Sequence, residues 1–408
     1  MSELTASMLL HPNVLEQPYD FYRTLRTHAP VWAVPGTDVI TVATFDLISE
    51  AVGRPEDFSS NILSLLYRDD GGLPARLDFG GTAPPTLATA DPPLHTTQRK
   101  AVFPELVARR MLALEGDIRA LCEAAIDEAL RNDSFEFMSA IGNVVPITVV
   151  AKLIGFRDIN PAQLLEAAFD STAMIGGTMT LDRLTELVTR IGVIQEWIRI
   201  QVAGTTDSDE DGILLAVRRA LDAGTLAEGE VQIILHTLLS AGGETTSSLV
   251  GNAVRLLADD PGLQRLLREK TELIDTFVEE ALRLESPFRQ QMRSIPHDTT
   301  LGGVDIPGGS TAVLLFGSAN RDPAQFDNPD TVDLSRSSPR RHLAFGHGIH
   351  YCVGAALARI EARAVLTTLL DRTREFAVDP DDAPRWADSF LVRRHERLPL
   401  TFTRRSRP

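Results

Sequence analysis

Apolar positions recur at three- and four-residue intervals through most of the chain, the period of helices that bury one face. The pattern predicts helices over residues 105–131, 142–154, 181–203, 227–259, 261–270, 273–284 and 353–371. Period-two alternation is confined to a few places. Residues 31–34 and 39–42 are short β-rich runs on either side of Pro35 and Gly36, which predicts a hairpin. A second strand cluster follows in TTLGGVDIPGGSTAVLLF, and alternation returns in LPLTF near the end. Gly and Pro punctuate these segments without forming a tether, and no repeat is visible, so the expectation is one large domain over residues 1–408, mainly α with a small β region. Residues 59–90 are rich in Gly, Pro and Leu without a sustained period. That is too long for an ordinary connection and reads as a functional loop covering a ligand.

Composition narrows the function classes. With 43% hydrophobic and 24% charged residues the chain is globular rather than disordered. Acidic residues outnumber basic ones by 56 to 40, a net charge of −16 that repels phosphate backbones and anionic lipid, so nucleic acid is excluded as a principal partner. No window reaches the roughly 18 apolar residues of a membrane helix, and the start has no basic segment leading into an apolar run. The expected location is the cytoplasm, with no membrane anchor. Cys122 and Cys352 are the two cysteines, and neither belongs to a CxxC pair. A disulfide framework and an iron–sulfur cluster are therefore both excluded.

The most informative segment is AFGHGIHYCVGAALARIEARAVL. A Gly-rich turn from Phe345 to Gly348 runs through His350 and Cys352 into an amphipathic helix, which puts Cys352 at a helix N-terminus. Exposed N–H groups and the helix dipole stabilise a thiolate there, and the missing side chains of Gly346, Gly348 and Gly354 let a flat cofactor approach the backbone. Taken alone, a single cysteine is as often a buried free thiol. The whole segment, however, resembles the haem-binding signature of cytochrome P450, the haem–thiolate monooxygenases: Phe345, Gly346, Gly348, His350, Cys352 and Gly354 fall at the family's spacing, followed by Leu357, Ala358 and Arg359. The resemblance implies the cytochrome P450 fold and a haem b (iron protoporphyrin IX) held through Cys352, with Ala241, Phe345, Gly346 and Gly354 against the ring.

It also orders the other motifs. Glu280 and Arg283, three apart on a predicted helix, are by spacing an ordinary ion pair; the resemblance makes them the family's Glu-x-x-Arg pair, with Arg336 as third partner and a structural role beneath the haem. The run LLSAGGETTSS sets two glycines in mid-helix, which costs about 2 kcal/mol of helix propensity. The helix is either interrupted there for packing or opened for function. The resemblance implies the oxygen-binding groove, with Glu244 and Thr245 as an acid–alcohol proton relay. His95 and Arg99, an i, i+4 pair after a Pro-Pro start, together with Arg293 and His350, match the family's contacts to the haem propionates.

Above the haem, the family's variable segments correspond to residues 59–90, 173–180 and 287–292 and the turn near Phe390. Ile62, Leu65, Met174, Ile175, Phe288 and Phe390 are the candidate lining for a small hydrophobic organic substrate. Arg289 is a candidate anchor for an anionic or oxygenated group, or else part of an internal ion pair. The chain shows no flavin segment and no dinucleotide fingerprint, so the resemblance implies electrons from a separate ferredoxin and its NAD(P)H-dependent reductase. Arg99, Lys100, Arg109, Arg110, Arg340 and Arg341 are candidates for a basic docking patch. A peroxide-driven enzyme is the rival within the family, but there an Arg-Pro arrangement replaces the acid–alcohol pair. A haem–thiolate sensor or carrier is the rival outside catalysis.

Overall fold

A computed structural model describes residues 4–78, 85–206 and 212–405. Its longer helices are α1 (Tyr19–His28), α2 (Phe45–Val52), α3 (Leu94–Val102), α4 (Glu115–Ala129), α5 (Val144–Ile154), α6 (Pro161–Met174), α7 (Leu181–Ala203), α8 (Ile213–Asp222), α9 (Glu228–Ala258), α10 (Pro261–Glu269), α11 (Ile274–Leu284) and α12 (Ala355–Arg372). The mainly α expectation holds, with most helix ends within a residue or two of those the periodicity gives. The expected helix over 105–131 is split, a short helix Ala108–Ala113 ending at Leu114 before α4 begins. Among the described residues no helix is long and apolar enough to cross a membrane.

The strands form small sheets. β1 (Val31–Ala33) and β2 (Val39–Val42) make the expected hairpin, and β9 (Thr311–Leu314) pairs parallel to β2 and antiparallel to β6 (Gln291–Ser294). β9 reads as an unbroken apolar run because both faces of this sheet are covered. Ala312 and Leu314 enter a cluster with Phe45, Ile48 and Phe58, whereas Val313 and Leu315 enter one with Leu10, Phe21 and Phe390. Residues 59–90 are not one open loop. β3 (Ser64–Arg68) and β4 (Pro74–Asp78) pair as a hairpin closed at Gly72, while residues 79–84 lie outside the described residues. Adjacent Leu65 and Leu66 blur the alternation that would have given β3 away. β5 (Ser134–Glu136), β10 (Thr373–Val378) and β13 (Pro399–Arg404) form a third group; β7 (Thr299–Leu301) with β8 (Val304–Ile306), and β11 (Arg385–Trp386) with β12 (His395–Arg397), are short pairs.

The largest apolar core is built round α9, which packs against α5, α6, α7, α11 and α12. Its two glycines do not break it. A Cβ on Gly243 would lie 2.6 Å from Ile147 Cδ1, and one on Gly242 would lie 2.7 Å from Val150 Cγ2. The propensity penalty is thus offset by the close approach of α5 along an uninterrupted helix, and Gly242 also borders the cavity beside Cys352.

Candidate functional site

The Cys352 turn is set by backbone geometry. Gly346 and Gly348 both sit at φ +70°, where a side chain would be strained, and the Cys352 N–H donates to the Phe345 carbonyl at 3.0 Å. Cys352 lies just before α12, whose first helical residue is Ala355. Burial pushes its thiol up. The N–H groups of Gly354 and Ala355 at the sulfur, and the charges of Arg359 and Arg99, act the other way.

A cavity opens from this sulfur toward α9. Cys352, Phe345, Gly346, His350, Gly354, Arg99, Arg293, Ala241, Thr245 and Phe288 line it, all of them sequence-derived candidates, joined by Leu87, Thr237 and Gln291. At one edge the cationic candidates converge. The His95 and His350 rings are 4.2 Å apart, and Nε2 of each is buried without a hydrogen-bond partner among the described residues. Arg99 donates to the Tyr351 carbonyl at 3.0 Å and Arg293 to that of Met292 at 2.7 Å. Burial and the neighbouring His95, Arg293 and Arg99 push His350 down to about 3, and burial, against the charge of Asp91, takes Arg293 down to about 10. Unpartnered buried imidazole nitrogens beside two arginines are what two carboxylates would satisfy. The residues therefore fit a haem with propionates at this edge and sulfur beneath the iron.

Beneath the turn, the three structural candidates come together. Arg283, wholly buried, donates from Nε and Nη2 to both Glu280 oxygens at 2.8 Å, and its remaining N–H groups reach the carbonyls of Asn320, Pro329 and Thr331. Arg336 Nε donates to Glu280 at 3.0 Å. Sequence reasoning missed the neighbouring network: Glu279 accepts from Arg359 and stands 2.9 Å from His342, while Arg359 lies over the Phe345 ring. Burial pushes the Glu279 carboxyl up, but His342 and Arg359 outweigh it and hold it at about 2. The doubled Glu before the Glu-x-x-Arg pair was the available signal.

Other candidates lie elsewhere. Thr245 faces the cavity, its hydroxyl donating to the Ala241 carbonyl at 2.5 Å, but Glu244 does not line it. The Glu244 carboxylate is turned toward α6, where it pairs with Arg394 Nε at 2.9 Å and accepts from Thr172. Burial pushes it up against the pull of Arg394 and Thr172. Neither partner was visible in the sequence, since both are remote from Glu244 along the chain.

Of the substrate candidates only Phe288 lines the cavity. Phe390 is 2% exposed in the core with Leu9 and Leu10, and Ile62 packs against the same cluster. Leu65 is committed to the β3–β4 hairpin, and Met174 and Ile175 end α6, away from the lining. Arg289 is no anchor for substrate: it is buried and donates to the carbonyls of Leu15 and Ser389. Exposed Lys100, Arg110, Arg340 and Arg341 remain on the surface, while the side chain of Arg109 lies outside the described residues.

The chain matches the family model described as "Cytochrome P450" over residues 193–401. "Cytochrome P450 144" of Mycobacterium tuberculosis is 38% identical over 388 residues, covering 95% of this chain and 89% of that protein. "Cytochrome P450 107B1" of Saccharopolyspora erythraea is 32% identical over 94% of this chain and 92% of its own. Among solved structures, cytochrome P450 CREJ in complex with (4-ethylphenyl) dihydrogen phosphate is similar at a TM-score of 0.87 and 29% identity, over 95% of this chain and 97% of that one.

Proposed function

The chain belongs to the cytochrome P450 family, a haem-binding monooxygenase, and from that premise we propose that it oxidises a small hydrophobic organic molecule with electrons from a separate ferredoxin and NAD(P)H-dependent reductase. The observation that carries the reading is the convergence of Cys352 Sγ, Arg99, Arg293, His350 and Thr245 on one largely apolar cavity, with the His95 ring 4.2 Å from that of His350. Haem, when bound, supplies the iron at which O₂ is activated and one oxygen atom enters a C–H bond. The protein supplies the rest. Cys352 Sγ, which the N–H groups of Gly354 and Ala355 hold in place, would bind the haem iron. His95, Arg99, Arg293 and His350 bind the propionates. Ala241, Phe345, Gly346 and Gly354 border the ring, and the pair Glu280–Arg283, with Arg336, supports the turn from below.

Thr245 Oγ1 is the proton donor on the cavity side, and Glu244 restores its proton. Because the Glu244 carboxylate is engaged by Arg394 and Thr172, this requires it, or a water beside it, to reach back toward Thr245. Phe288 and Leu87 give the substrate apolar surface. Lys100, Arg110, Arg340 and Arg341 form the docking patch for an acidic ferredoxin, within one domain acting in the cytoplasm. The test is to screen apolar molecules for a shift of the Soret band, then to supply ferredoxin, reductase, NADH and ¹⁸O₂. One labelled oxygen per product supports the reading. Ligand binding without NADH-dependent product would leave a sensor or carrier instead.

A further inference from the structure

On α9 every fourth residue from Gln232 to Asn252 is polar: Gln232, His236, Ser240, Glu244, Ser248 and Asn252. All but Gln232 are buried. The C-terminal members are spent on structure, Ser248 donating to the Glu244 carbonyl and Asn252 to the carbonyls of Glu285 and Arg393. The N-terminal members are arranged differently. His236 Nε2 lies 2.5 Å from Ser171 Oγ, and Glu244 accepts from Thr172, so two consecutive α6 hydroxyls meet the α9 residues four before and four after Ser240. Thr245, Ser247 and Ser248 all return their hydroxyls to the carbonyl one turn back. Ser240 does not: it is 5% exposed and its Oγ has no partner among the described residues.

A buried hydroxyl left unpaired costs about 1–3 kcal/mol. Side chains four apart on a helix stand about 5–6 Å apart at Cβ, a span that one water can bridge. His236 and Glu244, eight apart, are separated by about 12 Å of rise, so Ser240 stands midway with room for one water on each side. Both Glu244 oxygens are engaged on this α6 side and the residue is absent from the cavity lining, so the seam is where its carboxylate can be approached.

We propose that waters on either side of Ser240 Oγ join His236 to Ser240 and Ser240 to Glu244, and that this α6–α9 seam delivers protons from solvent near Gln232 to Glu244. The inference rests on the reading of Glu244 and Thr245 as the proton relay. Each group accepts one proton from its outer neighbour as it gives one to the inner, so the imidazole, the waters, the Ser240 hydroxyl and the carboxylate keep their charge over a turnover. The imidazole, left as its other tautomer, is reset by proton exchange before the next. Bulk water is the source.

The experiment uses haem-loaded protein with ferredoxin and reductase. A high-resolution crystal structure is expected to show an ordered water within hydrogen-bond distance of Ser240 Oγ. Ser240→Val is expected to keep its reduced carbon monoxide spectrum, to slow NADH-driven O₂ consumption about tenfold or more, and to enlarge the solvent isotope effect, with Ser240→Thr restoring most of the rate. Should Ser240→Val lose haem, Ser240→Ala takes its place. No water at Ser240, or unchanged rate and isotope effect, overturns the inference. Glu244→Gln separates the two levels: if it slows O₂ consumption while Ser240→Val does not, the seam alone is wrong, and if neither does, the relay fails with it.

Discussion

Replacing Arg283 with lysine keeps the charge and removes the fork. In the native protein all five guanidinium hydrogens are used, two on Glu280 and three on the carbonyls of Asn320, Pro329 and Thr331. An ammonium has only three hydrogens, so Arg283→Lys loses at least two of these five charge-assisted hydrogen bonds, at about 1.5–3 kcal/mol each and about 3–6 kcal/mol together. That is a large share of the roughly 5–15 kcal/mol that holds a typical domain folded. The loss is transmitted to the site, because Asn320 receives Arg283 on its carbonyl and the N–H of Leu343, at the start of the Cys352 turn, on Oδ1 at 2.6 Å. Urea unfolding of haem-loaded protein measures the first effect, and the ratio of Soret to protein absorbance after gel filtration measures the second. A midpoint shift worth less than about 0.5 kcal/mol with haem fully retained would refute the reasoning, since surface substitutions do as much.

Three further outcomes are expected. Glu279 is held at about 2 against an ordinary 4.5, so it contributes about 3 kcal/mol that is fully present above its unfolded pKa and is lost as pH falls from there toward 2; Glu279→Gln should show a smaller fall in urea midpoint between about pH 5 and about pH 3 than the native protein. Gly243→Ala should cost about 1–3 kcal/mol by thermal unfolding, and Ile147→Val, which removes the clashing Cδ1, should recover much of it in the double variant. Arg289→Gln should lower stability by about 1–3 kcal/mol yet leave Soret-shift affinities for carboxylate and neutral ligands alike unchanged; weaker carboxylate binding alone would return Arg289 to the pocket.

Much of this was legible because the residues that carry it are close in sequence or periodic. The Cys352 turn lies within a dozen residues, α9 and α12 repeat their apolar face over many turns, and Glu280 and Arg283 share one helix face. What escaped depends on contacts between distant segments. Thr172 and Arg394 meet at Glu244 from α6 and from beside β12, and nothing near Glu244 points to either. Arg289 and Gln291 are two apart, yet one is tied to the carbonyls of Leu15 and Ser389 and the other lines the cavity. Phe390 lies in the core and not in the pocket lining, and an apolar residue in a turn reads alike in the sequence whether it faces a ligand or a core. Helix α6 did announce itself, with Asn160 capping Gln163 and Pro161 in the first turn, a signal that its weak periodicity obscured.

The account stands on the bond between Cys352 and haem iron. The measurement that tests it most directly is the absorption spectrum of the purified protein, reduced with dithionite and exposed to carbon monoxide, beside that of Cys352→Ala. A strongly red-shifted Soret band that disappears in the variant is the predicted result. A band of ordinary position, or one that survives the loss of Cys352, would contradict the ligand assignment and the proton relay built above it.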